Sequence, residues 1–151
     1  MKHKSFTMKN RLLLALALLF SGFSYAQDIP AKDVPLEVRN SFKKAFPNAT
    51  KVDWELKGDL YNADFDIGKR DHEVWFNNKG VIVKHKKEIR AKELPVAVSN
   101  VIKKNYSGYR IDDVDQFEEG KVLLYKVELK KVGEEKKVVF DAKGNVVNRI
   151  I

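Results

Sequence analysis

Leu94–Tyr106 reads LPVAVSNVIKKNY, and Val34–Phe46 has already read VPLEVRNSFKKAF. Pro35 recurs as Pro95, Val38 as Val98, Asn40 as Asn100, Lys43 and Lys44 as Lys103 and Lys104, and Phe46 as Tyr106, each 60 residues on. A second stretch is also repeated: Val74–Gly80, VWFNNKG, returns 64 residues later as Val138–Gly144, VVFDAKG. The chain therefore uses one unit twice, over about 33–83 and 93–147, with the basic segment 84–92 (KHKKEIRAK) between them.

Each unit begins as a helix. Pro35 suits a first turn because its missing N–H costs nothing there. Val38, Phe42, Ala45 and Phe46 fall at i, i+4, i+7 and i+8, one apolar stripe. Pro47 cannot continue the helix, and Asn48 tolerates the left-handed conformation of a helix end. Val98, Ile102, Asn105 and Tyr106 repeat the stripe, and Gly108 stands where Asn48 stood. Asn48-Ala49-Thr50 and Asn105-Tyr106-Ser107 also match the glycosylation pattern, but a helix end accounts for both positions.

Strands come next in each unit. Val52-Trp54-Leu56 alternates up to a turn at Lys57-Gly58-Asp59, and Tyr61-Ala63-Phe65-Ile67 alternates with Asn62, Asp64 and Asp66. Turns at Gly68–Asp71 and Asn77–Gly80 bound the Val74–Phe76 strand, and Val81–Val83 comes after them. The second copy gives Ile111–Phe117, Leu123–Leu129, Val138–Phe140 and Val146–Ile150. The expected fold class is α+β: two tandem units of one helix and four antiparallel strands, forming one curved sheet with both helices on one face. Segment 84–92 is read as a linker or as an extension of the last strand.

Period-two alternation then sorts the side chains. Tyr61, Ala63, Phe65, Val74, Phe76, Tyr125, Val127, Leu129, Val138 and Phe140 should face the helices. Asn62, Asp64, Asp66, Glu73, Trp75, Lys126, Glu128 and Val139 should face away. Trp54 belongs with the core by the same alternation.

Residues 1–26 read as a signal peptide. Lys2, Lys4, Lys9 and Arg11 precede the apolar run Leu12–Phe20, and Ser24-Tyr25-Ala26 resembles a cleavage site. The run is too short for the ~20 residues a bilayer needs. Cleavage after Ala26 would send a single mature domain, 27–151, to the periplasm or outside the cell. That domain can bury a core without disulfides, and the chain has no cysteine. The leader takes four of the 29 basic residues and none of the 21 acidic ones, leaving 25 against 21, a net charge of +4. So small an excess suits solubility better than a nucleic-acid footprint.

The sequence offers little chemistry. His72 and His85 are 13 residues apart without metal-site spacing, and are expected as a strand-edge and a solvated histidine. A cysteine nucleophile is excluded, and no serine sits in a nucleophile elbow. Asp64 and Asp66 share a strand face, which could serve acid–base work or Ca²⁺ but is also ordinary for an open sheet. No cofactor, metal or catalytic residue is implied. Trp75 stands out: parity puts it among carboxylates on the uncovered face, as a binding hot spot would sit, unless a loop, a tail or a second molecule covers it.

The Pro-x-x-Val helix with its Lys-Lys pair, the Val52–Trp54 strand and the Phe-(Asn/Asp)-x-Lys-Gly turn, twice behind a leader, resemble the PepSY-like periplasmic proteins, whose fold is similar to that of the β-lactamase inhibitory protein. The likeness spans about 33–147. It implies a tandem α+β domain with one bare sheet face and brings no catalytic residues with it. Lactamase inhibition is not implied, since that inhibitor's copies carry disulfides. The function expected is a non-enzymatic protein- or peptide-binding module, an inhibitor or sensor accessory, using Trp75, Asn62, Asp64, Asp66, Glu73, Lys126 and Val139. The alternative is a binder of an anionic envelope surface or a small ligand through 84–92.

Overall fold

The computed structural model describes residues 27–149; residues 1–26, where a signal peptide and its cleavage point are expected, and the last two residues lie outside them. The elements are β1 (Gln27–Asp28), α1 (Leu36–Ala45), β2 (Thr50–Lys57), β3 (Leu60–Ile67), β4 (Arg70–Phe76), β5 (Ile82–Glu88), α2 (Val96–Asn105), β6 (Arg110–Glu119), β7 (Val122–Lys131) and β8 (Glu134–Asp141). The eight strands form one antiparallel sheet in sequence order.

The duplication runs deeper than the helices and turns. Short 3₁₀ turns at Ala31–Asp33 and Ala91–Glu93 precede the two helices, 60 residues apart. Gln27 and Asp28 pair with Leu56 and Glu55, and 60 residues on Lys87 and Glu88 pair with Gln116 and Asp115. Ile29 donates its N–H to the Trp54 carbonyl as Ile89 does to that of Val114. The pair Phe76–Ile82 recurs, at the other spacing of 64, as the lone bridge Phe140–Val146. Strand β5 thus has two parts to play. It closes the first unit against β4, and it opens the second against β6, where β1 stands in the first. Segment 84–92 is therefore no linker: Lys84–Glu88 is an interior strand. The second unit, in turn, has three long strands and a single bridge where a fourth strand over Val146–Ile150 was expected.

Pro35 and Pro95 stand at the N-caps with extended backbone, one position ahead of the first turn. Val38 and Phe42 of α1, and Val98 and Ile102 of α2, are buried; Ala45 and Asn105 at the end of each stripe are exposed. Gly108 takes the left-handed backbone, φ +86°, whereas Asn48 does not.

The two Phe-x-x-Lys-Gly turns explain their own sequence. The side chain of Asn77 accepts N–H bonds from Lys79 and Val81, and that of Asp141 from Lys143 and Asn145, at 2.8–3.0 Å. Gly80 and Gly144 come next at φ +75° and +85° and lie against the helices. A Cβ on Gly80 would come within 2.7 Å of the Glu37 carbonyl oxygen, and one on Gly144 within 2.9 Å of that of Ala97, 60 residues further on.

Two apolar cores result, one beneath each helix. All ten residues expected to face the helices are in them, Tyr61 at the margin. The first is aromatic, with Phe42 edge-on to Trp54 and Phe65 at ring separations of 5.2 and 5.0 Å. The second is aliphatic, built on Val98, Ile102, Val127 and Leu129. The row Val74–His85–Glu118–Leu123 runs in register across β4 to β7, so the helix-facing side is continuous through β5. Both helices therefore cover the same face, and a polar strip along β5 parts the two cores.

Candidate functional site

The same register sets out the uncovered face. Across β2 to β7, one row reads Glu55–Asn62–Trp75–Lys84, and the next reads Asp64–Glu73–Lys86–Phe117–Leu124. A third row reads Asp115–Lys126–Val139. Phe117 and Leu124 are only 3% and 4% exposed although no helix covers them, and they belong to neither core. Lysine stems account for part of this: the ammonium of Lys84 lies 5.0 Å and that of Lys126 5.5 Å from the Phe117 ring centre. Lys84 also lies 4.9 Å, and Lys57 5.8 Å, from the ring of Trp75, so an alternating file of cations and aromatic rings crosses the sheet.

Carboxylates pin the lysines. Lys57 and Lys86 pair with Glu73 at 2.9 and 3.3 Å, and Lys126 with Asp115 at 2.8 Å. Lys84 reaches Glu119, which also binds Arg149 of the C-terminal segment. Each exposed pair is worth ~0–1 kcal/mol, so their effect is to fix position more than to stabilise. Burial would raise the Glu73 carboxyl, but hydrogen bonds from Lys57 and the charge of Lys86 bring it below its ordinary value. Asp64, next to Glu73 in its row, is raised, first by partial desolvation and then by Glu73. Asp66 is lowered by its hydrogen bond from Lys51.

The expected binding residues thus share one face but not one role. Asp64 is exposed; Asp66, Glu73, Trp75, Lys126 and Val139 are half-buried. Asn62 is a correction: it is 1% exposed and donates through Nδ2 to the Val74 carbonyl at 3.3 Å, so it braces the sheet and has no surface to offer a partner. Phe117 and Leu124 were missed. The signal was there in Phe117, which shares odd parity with Asp113 and Asp115 while Val114 faces the helix.

The histidines also differ from expectation. Because β5 is interior, His85 turns under the helix side, against Phe46, and is half-buried rather than solvated. His72 is 8% exposed, Nδ1 of His72 lies 3.1 Å from Nε2 of His85, and Phe65, His72 and His85 stack in succession at 5.3 Å. One ring must accept from the other and so be neutral. Burial lowers both, His85 to about 4, with His72 the next cause. Among the described residues no group of three or more His, Cys, Asp or Glu is placed to hold a metal ion.

A one-sided α+β sheet of this kind resembles an inhibitor-like protein rather than an enzyme. The chain belongs to the family described as "Putative beta-lactamase-inhibitor-like, PepSY-like", whose model matches residues 24–58 and 59–148. Similar solved structures agree in fold. A BLIP-like protein from Bacteroides fragilis is 27% identical, with a TM-score of 0.64 over 80% of this chain and 84% of that one. A DUF2874 family protein from Bacteroides uniformis is 26% identical, with a TM-score of 0.67 over 76% and 86%. A third, from the "putative periplasmic proteins" of Bacteroides eggerthii, is 23% identical, with a TM-score of 0.68 over 76% and 86%. No curated protein matches the chain. Among the described residues no helix is long and apolar enough to cross a membrane.

Proposed function

We propose that this chain is an exported, non-enzymatic binding module that holds a protein or peptide on its open sheet face, in the manner of an inhibitor or a sensor accessory. One observation carries the reading. The face away from the helices carries half-buried Trp75 and Val139 among lysines that are held by carboxylates and lie over the rings of Trp75 and Phe117, a mixture of aromatic and fixed charged groups of the kind protein interfaces use. The inhibitor-like description of the family and the BLIP-like relative support it.

The rival reading, an anionic surface held by 84–92, has less support. Lys84, Lys86, Lys87 and Arg90 are all paired with carboxylates, which leaves little free charge to attract a surface.

Photo-crosslinking in the cell envelope tests the proposal. A crosslinker replacing Asp64 or Lys137 on the open face should give discrete adducts that Trp75→Ala weakens, and one replacing Lys44 on α1 should not. Adducts from Lys44 alone, or adducts indifferent to Trp75→Ala, would refute it.

A further inference from the structure

On the helix side, at the outer end of the first unit, lies a cleft of about 470 Å³ between α1 and β2. That is within the ~300–1,000 Å³ usual for small-molecule sites. Phe42, Phe46, Val52 and Trp54 wall it, Ala49 lies at its side, and Arg39 and Lys43 of α1 supply positive charge. The walls pack on one another: Phe42 lies edge-on to Trp54 at 5.2 Å and tilted against Phe46 at 5.6 Å. Nε of Arg39 is buried and has no hydrogen-bond partner, alone among the described side-chain nitrogens and oxygens. An orphaned guanidinium N–H beside an apolar cleft is costly unless something accepts from it.

The second unit supplies an internal comparison. Ala49 corresponds to Tyr109, and each donates its N–H to the carbonyl three residues before it at 3.1 Å, although the preceding residue is left-handed in the second unit (Gly108) and not in the first (Asn48). The counterpart depression is of similar volume, about 410 Å³; Ile102, Lys103, Tyr106, Tyr109 and Ile111 line it, and it reaches neither Ser99 nor Val114. In the first unit those two positions are Arg39 and Trp54, and both line the cleft. Both depressions have an aromatic wall and a lysine, and the first adds the guanidinium of Arg39 and the indole of Trp54.

We propose that this cleft binds a small apolar monocarboxylate, with its hydrocarbon body against Phe42, Phe46 and Trp54 and its carboxylate accepting from Arg39. A planar guanidinium fork matches a carboxylate in geometry as well as charge. The N-terminal segment is a poor occupant: residues 1–26 carry Lys2, Lys4, Lys9 and Arg11 and no carboxylate side chain. The site lies across the sheet from the proposed partner face, and neither depends on the other.

The test is octanoate titration of the exported protein in a Trp75→Phe background, read by Trp54 fluorescence, with octanamide as the uncharged control. Octanoate should bind saturably, and octanamide roughly tenfold or more weakly. Arg39→Met should cost octanoate a similar factor. Ala49→Tyr, which writes the second unit's residue into the first, should abolish binding while leaving the circular dichroism and the urea midpoint near those of the parent. The proposal is overturned by the absence of saturable octanoate binding at millimolar concentration, by octanamide binding as well as octanoate, or by either Arg39→Met or Ala49→Tyr retaining full affinity.

Discussion

Gly80→Ala should cost far more stability than Gly58→Ala, although both glycines have positive φ, +75° and +62°. An alanine in the left-handed region costs ~1–2 kcal/mol, and losing glycine's freedom in the unfolded chain returns ~0.4–1 kcal/mol. At Gly58 nothing lies within 4 Å of an added Cβ, so that small balance, under ~1.5 kcal/mol, is the whole effect. At Gly80 the Cβ would meet Ser41 Oγ at 2.6 Å and the Glu37 carbonyl oxygen at 2.7 Å. The serine can rotate away, but the carbonyl belongs to the helix backbone and can move only with α1. Forcing atoms into packed space adds ~1–3 kcal/mol, which brings the total to about 2–4 kcal/mol. Gly144→Ala should fall slightly lower, because its nearest contact, the Ala97 carbonyl oxygen, is at 2.9 Å. Urea unfolding measures this: at a slope of ~1.5 kcal/mol per molar, Gly80→Ala should lower the midpoint by about 1.5–2.5 M and Gly58→Ala by less than ~1 M. Equal shifts would show that the turn does not clasp the helix, and the account of the repeated Lys-Gly motif would fail.

Three further expectations are read more simply. His85, held to about 4, prefers to be neutral when folded. Its contribution is present above pH ~6.5 and is lost as pH falls toward 4, at most on the order of 3 kcal/mol and, with its partial exposure, nearer ~1–2 kcal/mol. Urea midpoints at pH 7 and 4.5 should show that loss in the parent and a smaller one in His85→Gln; identical losses would remove the histidine from the account. Phe117→Ala should destabilise by ~3 kcal/mol despite lying outside both cores, and a change below ~1 kcal/mol in thermal or urea unfolding would mean its burial is not structural. Intact mass of the exported protein should correspond to a chain beginning at Gln27, and retention of residues 1–26 would refute export by cleavage.

Much of the architecture was legible because the chain repeats it. Two helices with matched prolines, two turns with matched glycines and the parity of Tyr61–Ile67 were enough for an α+β sheet with helices on one side. Strand β5 was legible only at its start, Val81–Val83, with 84–92 left open between a linker and an extension of that strand, because Lys84–Glu88 carries none of the apolar alternation that marks a strand. It lies where the two cores end, so its inward positions are His85 and Lys87 and its outward ones are lysines in ion pairs. The candidate face was only partly legible. Parity gives the side of a sheet on which a residue lies and not whether neighbours bury it there. Asn62 and Phe117 are on the open side and almost inaccessible, one bonded to the backbone and the other lying beneath lysine stems.

The two copies obey one set of constraints within one chain, so their differences separate what the fold requires from what it leaves free. Positions that hold helix to sheet keep their character: Val38 and Val98, Phe76 and Phe140, Gly80 and Gly144. Positions that change character gather in two places. On the open face Trp75 faces Val139 across the repeat, Asn62 faces Lys126 and Glu73 faces Lys137. Around the cleft between the first helix and β2, Arg39 faces Ser99, Ala49 faces Tyr109 and Trp54 faces Val114. Packing accounts for Trp54, which is buried edge-on against Phe42 where a valine such as Val114 would leave a cavity, but it does not call for Arg39, whose Nε is buried without a partner where the second unit has the short Ser99. The fold therefore does not account for the cation in the first unit, and a ligand recognised there would.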